Sequence, residues 1–70
     1  MAGKINITVN GLPEQIPEGS TVAEVIEMLG EADMELITEM NGRFVHFGDY
    51  SRITVSEGDV LEFIYPAFGG

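Results

Sequence analysis

The sequence predicts an α+β domain in which one helix packs across one face of a mixed sheet of four to five strands. Three observations carry this expectation. The stretches 4–10 and 60–65 are the most apolar of the chain and are rich in β-branched and aromatic residues. A single stretch, 21–29, has a helical period behind a helix-start signature. Two Asn-Gly pairs, at 10–11 and 41–42, sit between alternating stretches and mark tight hairpins.

From Lys4 to Asn10, Ile5, Ile7 and Val9 alternate with Asn6, Thr8 and Asn10, the period-two pattern of a half-buried strand. Asn10-Gly11 turns the chain, and Leu12 to Ile16 returns as a short second strand. Pro13 has no N–H to donate, which suits only an edge or a strand end. Thr21 and Glu24 have the form of a capping box. Val22, Val25, Ile26 and Leu29 then fall at i, i+3, i+4 and i+7, one apolar helix face, and Gly30 is placed to end the helix left-handed. Leu36, Thr38 and Met40 alternate with Ile37 and Glu39, and Asn41-Gly42 leads to a short strand from Arg43 to His46. Residues 47–55 read as an irregular connection with one helical turn. Glu57-Gly58-Asp59 is a turn, with Asp59 structural, and Val60 to Tyr65 is the last strand with Leu61 and Phe63 sharing a face.

Two strands, a helix, two strands, a connection and a final strand make a two-layer domain. A β-grasp arrangement satisfies this order, with the first and last strands as parallel neighbours at the sheet centre. These two stretches are the most apolar of the chain, as central position requires. We expect residues 1–65 to form that domain and residues 66–70 a flexible tail.

Composition narrows the function. Seventy residues make one domain with a small core. No apolar run approaches the roughly 20 residues that span a bilayer, and the start lacks a signal-peptide apolar region, so a cytoplasmic location is expected. Twelve acidic residues against three basic ones give a net charge of −9. Phosphate backbones repel such a surface, so nucleic acid is not an expected partner. The charge either draws in a basic protein or serves solubility alone. Cysteine is absent, which excludes disulfides, thiolate metal sites and a thiol nucleophile. His46, the only histidine, reads as a strand-end residue rather than an acid–base group, and no catalytic residue is expected. Glu24, Glu27 and Glu31 fall on the solvent side of the helix, a solvated face rather than a metal site. Met28, Met34 and Met40 read as core filler or loop packing.

The chain finishes Pro66-Ala67-Phe68-Gly69-Gly70. Five extended residues reach on the order of 17 Å beyond the last strand. Terminal glycines without side chains can thread a narrow channel in another protein; the competing reading is a frayed end. On the final strand, with Leu61 and Phe63 inward, Val60, Glu62 and Ile64 point outward, and the same phase puts Ile37 beside them. That cluster is a candidate docking patch.

The stretches "INITVNGLPEQIPEGSTVAEVIEMLG" and "ITEMNGRFVHFGDYSRITVSEGDVLEFIYPAFGG", with the terminal Gly69-Gly70, resemble the bacterial ThiS sulfur carriers of thiamin synthesis over nearly the full chain. The run from Gly58-Asp59 to the diglycine also resembles the end of ubiquitin. Phe68 stands where the family more often has a small residue. The resemblance implies a ubiquitin-like β-grasp fold and a role as protein co-substrate. A ubiquitin-activating-type adenylyltransferase, using ATP and Mg, would adenylate the Gly70 carboxylate. A persulfide would supply sulfur to give a Gly70 thiocarboxylate, and a thiazole synthase or other acceptor would take it. Phe68 and Gly69 would lie in the partner's channel. The chain itself would bind no cofactor or metal, would avoid membranes, and would be a monomer alone. A molybdopterin-synthase small subunit is an alternative of the same chemistry, and a lysine-conjugated modifier or plain adaptor is an alternative of a different class.

Overall fold

The computed structural model describes residues 3–30 and 36–65. Their order is β1 (Lys4–Val9), β2 (Leu12–Pro17), α1 (Val22–Met28), β3 (Ile37–Met40), β4 (Arg43–Val45), a single 3₁₀ turn (Phe47–Asp49) and β5 (Val60–Ile64). The five strands form one sheet in the order β2-β1-β5-β3-β4, with β1 and β5 parallel and the other pairs antiparallel. The expected β-grasp arrangement is therefore present. The tail residues 66–70, and Glu31 and Met34, lie outside the described residues.

Local chemistry explains each element. Asn10 and Gly11 have φ of 50° and 82°, and Asn41 and Gly42 have 54° and 82°. Positive φ at both central residues defines the type I′ turn, whose twist matches that of paired strands. The helix has only seven residues, too few to persist on propensity alone. Its first-turn amides are all partnered. Val22 N–H donates to the Ile53 carbonyl at 2.9 Å and Ala23 N–H to that of Tyr50 at 2.8 Å. Glu24 N–H donates to Thr21 Oγ1, and Glu24 Oε1 accepts the Thr21 amide at 2.9 Å, completing the capping box. Gly30, at φ +71°, donates to the Glu27 carbonyl and ends the helix.

The core lies between α1 and one sheet face. Ile7, Val9, Ile16, Leu61 and Phe63 from the sheet meet Val22, Val25 and Ile26 from the helix, with Leu36 and Val55 closing the ends. Met40 is half-buried against this cluster, as expected. Met28 is not core filler: it is 49% exposed. At 3.6 residues per turn it stands roughly 120° around the helix from Val22, beyond the buried stripe. The connection after β4 is more structured than its sequence suggests. Val55 N–H donates to the Ser20 carbonyl at 2.8 Å, Tyr50 OH donates to the Leu36 carbonyl, and Thr54 bridges Thr21. This segment straps the start of the helix.

Candidate docking face

The strand that leads into the tail is hydrogen-bonded on both flanks. On one side Thr8 N–H donates to the Asp59 carbonyl and Asn10 N–H to the Leu61 carbonyl, each at 3.0 Å. The Asn10 side chain then accepts the Phe63 amide at 2.8 Å. On the other side Asn41 N–H donates to the Val60 carbonyl at 2.7 Å, while Asn41 Oδ1 accepts the Val60 amide at 2.9 Å. Asn41 Nδ2 also donates to Asp59 Oδ1, and Asp59 Oδ2 accepts the Ser56 amide. Asp59 thus fixes the turn before β5, the structural role expected of it. β5 is thus held by hydrogen bonds on both sides up to Phe63.

The open sheet face carries the second part of the site. β5 alternates outward and inward: Val60, Glu62 and Ile64 are exposed while Leu61 and Phe63 are buried. The β3–β5 register pairs Ile37 with Ile64 and Glu39 with Glu62. All four residues expected from the sequence, Ile37, Val60, Glu62 and Ile64, therefore share one face opposite the helix. Ile37 is half-buried, and Val60 and Ile64 are 43% and 42% exposed.

Phe44 belongs to the same face and was not expected there. It pairs with Glu39 and is 57% exposed. The signal was present in the Asn41-Gly42 turn, because a two-residue loop pairs Met40 with Arg43 and so sets Phe44 opposite Glu39. His46 packs edge-on against Phe44 at 4.8 Å, the strand-end position expected of it. The face is mixed: the Ile37–Ile64 pair, Val60 and Phe44 are its apolar parts, and Glu62 and Glu39 form a row across its middle, between Ile64 and Val60 and beside Phe44.

Among the described residues, no group of three or more His, Asp or Glu side chains is placed to hold a metal ion. Glu24 is committed to the capping box and Glu27 is exposed. No described helix is long and apolar enough to cross a membrane. Phe68, Gly69 and Gly70 fall outside the described residues.

The ThiS family model matches residues 4–70. The chain belongs to the ThiS family. Its fold is similar to the crystal structure of a thiamine biosynthesis protein, ThiS, from Geobacter metallireducens. That similarity has a TM-score of 0.84 at 33% identity and covers 94% of this chain and 100% of that one. An NMR solution structure of a thiamine biosynthesis protein from the same organism matches with a TM-score of 0.76 at 35% identity, over 94% of this chain and 88% of that one. No curated protein matches the chain. The ThiS match includes Phe68, Gly69 and Gly70, so the family resemblance extends over the tail as well as the sheet.

Proposed function

We propose that this ThiS-family chain is a sulfur carrier in thiamine biosynthesis and that its reacting group is the Gly70 α-carboxylate. The single observation that carries the reading is the family match running through Gly69-Gly70. The arrangement around β5 supports it: a strand anchored on both flanks leads directly toward the tail, beside an open face free to receive a partner.

A carboxylate is a poor electrophile. A ubiquitin-activating-type partner with ATP and Mg joins the Gly70 carboxylate to AMP and releases pyrophosphate, which makes AMP the leaving group. The terminal sulfur of a persulfide attacks the acyl carbon and AMP departs. A thiol then reduces the acyl disulfide so formed, leaving sulfur on Gly70 as a thiocarboxylate. Thiazole synthase takes this sulfur. This chain contributes the carboxylate, a tail narrow at Gly69-Gly70, and the docking face of Ile37, Phe44, Val60, Glu62 and Ile64. It is a co-substrate, and the catalytic groups belong to its partners. The absence of cysteine fits, because no side chain competes as a sulfur acceptor.

Deleting Gly70, or adding one residue after it, tests the reading. Both variants keep the fold and lose activation by the cognate adenylyltransferase. Activation of either at the rate of the parent chain overturns the assignment of the carboxylate.

A further inference from the structure

The two edges of the sheet are treated differently. On β2, residues pairing with β1 alternate with residues whose backbone faces outward. The Asn10-Gly11 turn makes Val9–Leu12 a hydrogen-bonded pair, so Leu12, Glu14 and Ile16 bond β1 and Pro13, Gln15 and Pro17 face the open edge. Two of those three outward positions are prolines, which have no N–H. This edge is closed to strand addition.

The β4 edge has no such block. The Asn41-Gly42 turn makes Met40–Arg43 a hydrogen-bonded pair, which leaves Phe44 opposite Glu39 in a non-hydrogen-bonded pair. The Phe44 amide and carbonyl therefore point away from the sheet, with no partner among the described residues. Beside this edge, on the helix side, lies a cleft of about 590 Å³ lined by Met40, Asn41, Arg43, Phe44, Val45 and Ile53. Arg43 is exposed and has no ion-pair partner among the described residues.

We infer that β4 is a strand-addition site for a short extended segment of a partner protein bearing an acidic residue. Main-chain pairing supplies the register and alternate side chains supply the choice of partner. In antiparallel pairing, the residue opposite Phe44 projects beside its ring on the open face. The residues on either side project toward the cleft, one against Val45 and one against Arg43. A carboxylate at the latter position makes a charge-assisted bond to the guanidinium. The match is local: Arg43 is exposed at this edge and has no ion-pair partner among the described residues, so the positive charge at β4 is open to a carboxylate. The net charge of −9 opposes pairing of β4 with a second copy. The inference is independent of the chemistry at Gly70.

The test uses the full chain, labelled with ¹⁵N, and the capped peptide Thr-Val-Leu-Glu-Val-Thr, in which Val-Leu-Glu lies opposite Val45, Phe44 and Arg43. Saturable amide shifts centred on 43–46 and Ile53 are expected. Arg43→Glu, or a peptide with Lys in place of Glu, weakens binding about tenfold or more. A peptide N-methylated at Leu, which removes the hydrogen bond to the Phe44 carbonyl, gives no saturable shift. The inference is overturned by no saturable shift with the parent peptide, by shifts centred on Val60 and Ile64, or by equal binding of the N-methylated or Lys peptide.

Discussion

Asn10 Oδ1 accepts the Phe63 amide at 2.8 Å and so extends the β1–β5 ladder past the point where β1 turns away. A residue selected by its turn, where positive φ favours Asn and Gly, also satisfies a donor on the central strand. Asn10→Gly keeps the turn conformation and removes only the side-chain acceptor. We expect it to lower stability by about 1 kcal/mol, read as a lower urea midpoint with an unchanged slope. An unchanged midpoint would show that the bond contributes nothing.

Thr38 is fully buried, and its Oγ1 has no hydrogen-bond partner among the described residues. It sits in β3 between Val45 and Phe63. A buried hydroxyl without a partner carries its desolvation cost uncompensated. Thr38→Val preserves the β-branched shape and removes that cost, so the urea midpoint should rise by the equivalent of about 1 kcal/mol. A fall would mean that the hydroxyl bonds an atom outside the described residues.

The elements were legible in the sequence because each carried a local signal. The two Asn-Gly turns, the Thr21–Glu24 box and the alternation of 60–65 all act over a few residues. The open face followed from phase alone, which placed Ile37, Val60, Glu62 and Ile64 together. Part of what escaped depended on contacts distant in sequence. Ile53 and Tyr50 cap the helix through carbonyls, which any residue possesses, so no side-chain pattern announced them. Phe44 stood in a strand of three residues, too short to show a period. Met28 is apolar but stands off the buried stripe, so of the two roles expected of it core filling does not apply. The role of Gly70 rests on family likeness rather than on geometry.

The open face makes a separable prediction about docking. Ile64 is 42% exposed on β5 and pairs with Ile37. Ile64→Lys places a charge on the apolar Ile37–Ile64 pair without disturbing the core behind it. Its stability should stay within about 0.5 kcal/mol of the parent, while kcat/KM for adenylation falls about tenfold or more, the cost of burying an unpaired charge at an interface. Unimpaired adenylation would place the activating enzyme on another surface.

Sulfur carried on Gly70 is read by intact mass. The protein is incubated with its host's activating enzyme, ATP, Mg and a persulfide source, with a second carrier present to show that the enzyme is active. A mass gain equal to one oxygen replaced by sulfur is expected, located at Gly70 by fragmentation and absent without ATP. An unchanged mass while the second carrier is converted would contradict the carrier role of Gly70.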